Sequence, residues 1–267
     1  MNLREIIKDA IKYPISDTRK FLIFCALIIL MSLSTVLPSY GLKDGTLGII
    51  LSIVTLIVSF IVLGYTVDVI KDGTEGKDVL PDFDYVKQFV DGIKAMILEI
   101  IYFIIPLIIV IIVASATGLF SSFTEIVYAS MDAMTKGATD FTMIMAAVPK
   151  STMDMFTNSL TVTLIVAIIL FIIFSLMSFT ALVRFAKTGS GTEGLRFRQI
   201  FSDMSNIGFI KIIVTLIVIY IIALVMAAVV GIIGLIPYIG VFIGMFIGVP
   251  FILLFSFRAI GLLYADA

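Results

Sequence analysis

The sequence predicts an all-α, polytopic membrane helical bundle with six transmembrane helices. Hydrophobic residues make up 61% of the chain and charged ones 14%, whereas a soluble domain carries about a quarter charged residues. Mean hydropathy is +1.20. Crossing a bilayer takes about 20 mostly apolar residues, and runs of that kind recur at Phe21–Leu37, Leu47–Val67, Ile93–Gly118, Leu160–Val183, Phe209–Ile233 and Ile236–Leu263. The whole chain, 1–267, is expected to form a single membrane domain.

The elements follow in order. Residues 1–20 are mostly polar but place Leu3, Ile6, Ile7, Ala10 and Ile11 on one helical face, which predicts an amphipathic helix in the membrane interface and a retained N-terminal segment. The first span is short and is expected to extend toward Tyr40. Two later segments repeat the amphipathic stripe: Phe83, Val86, Phe89, Val90 and Ile93 before the third span, and Phe197, Ile200, Phe201, Met204 and Ile207 before the fifth. The expected plan is therefore three units, each an interfacial helix followed by a transmembrane hairpin. Gly234–Pro237 is expected to turn the last hairpin. Residues 119–158 form the one long external segment, with an apolar stripe and six methionines between Met131 and Met155. They suit an interfacial cap, an adaptable partner surface or a thioether copper site.

Basic residues set the orientation. Fifteen Lys and Arg fall in the N-terminal segment, the loops after spans two and four, and the end of span six; three, Lys43, Lys136 and Lys150, fall on the other side. Both termini are expected in the cytoplasm. An internal repeat is expected too. Gly73-Thr74-Glu75-Gly76 recurs as Gly191-Thr192-Glu193-Gly194 at one ungapped offset that overlays span two on span four. The repeat halves are 42–118 and 160–236, and because both loops share a side the repeat is parallel. The two loops differ in charge. Asp68 to Lys94 carries net −3 and Arg184 to Lys211 net +3, which suits mutual attraction, solvated faces, or anionic lipid against the basic loop.

Several function classes are excluded. The chain has no His, no Trp and one Cys, Cys25, inside an apolar run, where it serves as a small packing residue. The net charge of −1 argues against nucleic acid as a partner. No phosphate loop, metal-ligand spacing or nucleophile elbow occurs, so no catalytic residue, cofactor or metal is expected and the protein is not expected to be an enzyme.

Three features carry the candidate residues. Gly240, Gly244 and Gly248 make overlapping small-residue words in span six, a helix-packing signal. Pro106 and Pro250 are expected to bend or open their helices. Glu99 is the acid well inside a span. Ionisable groups there are costly and point to function, but Arg258 at similar depth would make a structural ion pair, the alternative being a proton relay.

The stretch Leu63-Gly64-Tyr65, Lys71-Asp72-Gly73, Leu80-Pro81-Asp82-Phe83-Asp84 and Asp91-Gly92-Ile93-Lys94 resembles the archaeal membrane family known as domain of unknown function 4013, best from about Leu63 to Pro106. In the second half the pattern departs, with Gln199 where Pro81 would map. The family is uncharacterised, so the resemblance implies an archaeal cell-membrane location and no activity. The expected role is an organiser of membrane lipid or of membrane-protein partners, a second copy of the chain included; the alternative is a small-solute or lipid transporter or channel.

Overall fold

The computed structural model describes residues 1–36, 45–236 and 239–265. Among these the chain is helices joined by turns and short irregular segments, without a strand. Eleven α-helices are described: α1 (Leu3–Lys12), α2 (Thr18–Val36), α3 (Gly45–Glu75), α4 (Tyr85–Ala116), α5 (Leu119–Thr135), α6 (Phe141–Ala146), α7 (Lys150–Thr188), α8 (Phe197–Ile207), α9 (Phe209–Gly234), α10 (Ile239–Ile243) and α11 (Val249–Leu263). The end of the first expected span, from Leu37 toward Tyr40, lies outside the described residues, as do Lys43, the Pro237 turn and the last two residues.

Five helical segments among the described residues are long and apolar enough to cross a membrane: α3, α4, α7, α9 and Gly244–Leu263. The expectation was six. The sixth, the expected first span, begins in α2, whose 19 residues reach the edge of the described stretch at Val36 and turn Phe21, Phe24, Cys25, Leu27 and Ile28 into a core shared with α3 and Leu254. Four of the five bury 17% or less of their apolar window, and Gly244–Leu263 buries 50%. The last segment is thus the most buried of the five, and the other four leave most of their apolar side chains exposed, as lipid contact requires.

The chain parts into two compact units, Met1–Glu99 with Leu176–Ala267, and Ile100–Ser175. In the larger, α3 packs against α2 and α11, and α1 against α11. The smaller contains the second half of α4, α5, α6 and the first half of α7. There Thr152 donates to Glu125 at 3.0 Å, Ser159 donates to the Thr117 carbonyl, and Phe103 meets Phe171 at 5.5 Å between centroids. The segment expected as an external cap is helical, with Met131, Met134, Met143 and Met155 exposed.

Two of the three expected interfacial helices are separate elements. Asn2 caps α1 through a reciprocal pair with Glu5, 2.9 and 3.0 Å, and Ile6 and Ala10 are buried. Gly208, at φ 95°, breaks α8 from α9. The third is not separate: α4 runs unbroken from Tyr85 through Pro106 to Ala116. No residue between Asp84 and Pro106 stops a helix firmly, and Gly92, which weakens one, is held by close packing. A Cβ on Gly92 would sit 1.9 Å from the Phe60 carbonyl oxygen, and one on Gly64 1.8 Å from that of Gln88. The two glycines let the α3 and α4 backbones touch.

The two Gly-Thr-Glu-Gly words fold differently. The first is the last turn of α3, ended by Gly76 at φ 70°; the second follows α7, which ends at Gly189, also at φ 70°. The helix-ending glycines are 113 residues apart, not the 118 of the sequence words, so the shared word is not a shared local structure.

The glycine stripe of span six faces α9. A Cβ on Gly240 would meet the Ile233 carbonyl oxygen at 1.9 Å, one on Gly244 would meet Val230 at 3.1 Å, and one on Gly248 would meet Val230 at 2.4 Å. Residues Gly244–Gly248 form a π turn. Pro250 has no N–H to return to the preceding turn, and the Val249 N–H reaches Gly244, so the chain passes the proline by widening one turn. Gly244→Leu is expected to destabilise the protein by about 1–3 kcal/mol, read from thermal unfolding in detergent. Wild-type stability would place the stripe away from α9.

Candidate functional site

The residues with chemical potential gather in the larger unit at the ends of α3, α11 and the N-terminal helices. Tyr65, fully buried, begins the arrangement. Its ring stacks on Phe24 at 5.1 Å and on Phe83 at 4.4 Å, and its hydroxyl donates to the Pro81 carbonyl at 3.2 Å. Lys20 at the start of α2 donates to the Leu80 carbonyl at 2.6 Å and pairs with Asp82 at 2.9 Å. That cation holds the Asp82 carboxyl below its ordinary range, mainly through the hydrogen bond. The Leu80 N–H donates to Ser16 at 3.2 Å. The Leu-Pro-Asp-Phe stretch is thus a strap buckled across α2, α3 and the N-terminal segment.

Arg258 is the centre of the second layer. Its side chain is 1% exposed and pairs with Asp9 at 2.8 Å and Asp78 at 3.6 Å. It also donates to the Lys77 carbonyl, and its guanidinium lies 4.4 Å from the centroid of the Tyr13 ring. The Tyr13 hydroxyl reaches Asp72 and the Val79 carbonyl, each at 3.4 Å. Burial, then the Asp72 charge, push the phenol above its ordinary range, against the pull of Arg258, so Tyr13 stays neutral and donates. Asp72 pairs with Lys77 at 3.3 Å. Below it, Gly73 and Gly261 lie so close that a Cβ on Gly73 would come within 2.8 Å of the Gly261 Cα. The guanidinium therefore sits where α3 and α11 cross most tightly.

Two further clusters continue the polar end. Lys87 pairs with Asp68 and, at 3.2 Å, with Asp91, which also takes Lys94 at 2.8 Å. Arg184 joins Asp203 at 2.8 Å, Glu193 at 2.9 Å and Gln199 at 2.8 Å. The C-terminal turn is tied in by Tyr264, whose hydroxyl lies 2.8 Å from that of Thr180.

The ion pair expected between Glu99 and Arg258 is corrected. Arg258 is occupied by Asp9 and Asp78, because α11 brings it against α1 and the strap. Glu99 is exposed on α4 and forms no ion pair among the described residues. The first repeat loop enters the site: Gly73 makes the close approach, Thr74 donates to the Lys71 carbonyl at 2.8 Å, Glu75 pairs with Lys77 at 2.6 Å, and Gly76 ends the helix. In the second, Glu193 takes Arg184 and also Arg196, at 3.0 Å, Gly194 is buried against Leu98, and Gly191 and Thr192 line a groove with Lys94. Asp9, Tyr13 and Asp78 were missed from sequence. A single acid in a charged segment, far along the chain from Arg258, carries no local signal of its partner.

No curated protein and no solved structure matches the chain. A family model described as a protein of unknown function (DUF4013) matches residues 47–236. That stretch includes Tyr65, Asp72, the strap, Arg184 and both repeat loops, but not Asp9, Tyr13 or Arg258, and by it the chain belongs to the DUF4013 family of proteins of unknown function.

Proposed function

We propose that the protein is a non-enzymatic, multi-pass protein of the cell membrane that organises lipid or membrane-protein partners, with both termini and both Gly-Thr-Glu-Gly loops in the cytoplasm. One observation carries this reading. The buried charged residues among those described are Asp72, Asp91 and Arg258, and each has an opposite charge within ion-pair reach. Groups neutralised in this way rigidify the helix ends. They are poor acids, bases or nucleophiles, which need a free and tuned group. The 15-to-3 division of basic residues supports the orientation. Cys25 is buried, so after its replacement by Ser, Glu75→Cys and Glu193→Cys are expected to resist an impermeant maleimide added to intact cells. Labelling from outside at either position would reverse the topology.

A second reading, a transporter or channel, is favoured by Glu99, an acid on a candidate span with no ion pair among the described residues. Reconstituted vesicles decide between them. The organiser is expected to give no pH-dependent solute or ion flux, with Glu99→Gln indistinguishable from wild type. Flux lost in Glu99→Gln would put the transporter first.

A further inference from the structure

The groove between the start of α4 and the loop after α7 is used by nothing described so far. It has a volume of about 460 Å³ and is lined by Lys94, Ile97, Leu98 and the segment from Gly189 to Thr192 with Leu195. Its polar side is made of hydrogen-bond donors. The hydroxyls of Ser190 and Thr192 stand 2.8 Å apart. The N–H groups of Gly191 and Thr192 donate to no acceptor among the described residues, although the neighbouring Glu193 and Leu195 N–H groups are bonded to Ser190 and Thr192 carbonyls. Gly191 leaves the space open, since a Cβ there would touch only the Lys94 Cβ, at 3.8 Å. The Lys94 ammonium is held at the rim by Asp91 at 2.8 Å and faces the Phe185 ring at 5.8 Å; one carboxylate contact leaves further protons of the ammonium to donate. Successive backbone donors in a Gly-containing turn beside a cation form an anion-binding concavity.

The other wall is apolar. Ile97 is 48% exposed and belongs to a helix apolar enough to cross the membrane. A site with an anion-binding lip and an apolar wall, at the foot of a membrane helix, fits an amphiphile better than a free ion. The loop that supplies it runs from Arg184 to Lys211 with net charge +3, which raises the local concentration of anions.

We propose that this groove binds the phosphate headgroup of an anionic membrane lipid, with the Gly191 and Thr192 N–H groups, the Ser190 and Thr192 hydroxyls and Lys94 as donors and Ile97 against the acyl chain. The proposal deepens the lipid-organising reading and rests on it. The test is calorimetric titration of the full chain in mild detergent with dihexanoyl phosphatidic acid, dihexanoyl phosphatidylcholine and inorganic phosphate. Wild type and Gly231→Ala, a change on α9 with nothing within 4 Å of the new Cβ, are expected to bind phosphatidic acid alike. Gly191→Asp, which sets a carboxylate in the open space, is expected to weaken it roughly tenfold or more, a loss of about one to two charge-assisted hydrogen bonds. Lys94→Gln is expected to do the same and serves where Gly191→Asp lowers thermal stability. Unchanged affinity in the folded variants overturns the site. Equal binding of phosphatidylcholine overturns the anionic headgroup, and equal binding of inorganic phosphate overturns the lipid in favour of a free ion. A failure of the titration with vesicles still free of flux removes this groove alone; flux removes the organising reading.

Discussion

Arg258→Met is expected to lower the stability of the protein in detergent by about 3 kcal/mol, the lower end of the cost of removing one partner from a buried ion pair. Methionine keeps much of the volume and none of the charge, so the loss measures the network rather than a cavity. Asp9 is 29% exposed and regains some hydration, which keeps the figure from the upper end. Asp78 is 86% exposed and contributes little. What Arg258→Met strands is the Lys77 carbonyl, the Asp9 carboxylate and the face of Tyr13, all held by one guanidinium. Asp9→Asn should cost less. The double variant should cost less than the two singles together, because each single leaves the other partner unmatched. The measurement is the shift in denaturation midpoint. A shift equivalent to less than about 0.5 kcal/mol, the size of an exposed pair, would show that the guanidinium does not hold α1 to α11.

Gly64→Val is expected to be the most damaging single substitution of a glycine, costing about 3 kcal/mol or more and lowering accumulation of folded protein in the membrane. Its Cβ would come 1.8 Å from the Gln88 carbonyl oxygen. That atom is backbone in the first turn of α4, so neither helix can yield by turning a side chain. Overpacking usually costs about 1–3 kcal/mol, and a backbone-to-backbone clash belongs at or beyond the top of that range. Gly92→Val should behave alike, by contact with Phe60. Gly231→Ala is the control: nothing lies within 4 Å of its Cβ position, and its effect should stay within about 1 kcal/mol, on the favourable side, because alanine suits a helix better than glycine. If Gly64→Val matched that control, α3 and α4 would not be in backbone contact.

The class of fold was legible because lipid forces it: a span must be long, apolar and helical, and all three leave marks in composition. The boundaries were less so. Pattern placed the fourth span from Leu160, but α7 starts ten residues earlier, at Lys150, because a helix continues past the apolar window wherever nothing breaks it. The Leu-Gly-Tyr and Leu-Pro-Asp-Phe words pointed to the right residues without saying why they mattered; Tyr65, Leu80, Pro81 and Asp82 are joined by a stack, a lysine and three carbonyl or amide bonds across a distance that no spacing rule encodes. Glu99 was paired with Arg258 on depth alone. Depth along a span is readable from sequence, whereas the direction a side chain faces depends on neighbours, and Arg258 faces α1.

The π turn at Gly244–Gly248 sets the rotational phase of everything that follows it. A helix that absorbs one surplus residue without changing its axis turns its downstream side chains by about 100°, the angle one residue occupies in an α-helix. Before and within the turn the chain shows α9 its glycines; beyond it, it shows α3 Gly261 and offers Arg258 to Asp9. One continuous post can thus serve two different sets of neighbours at its two ends, and the phase between them is stored in a single extra residue. Shortening the turn by one residue would leave the glycine seam seated and swing the guanidinium out of its place.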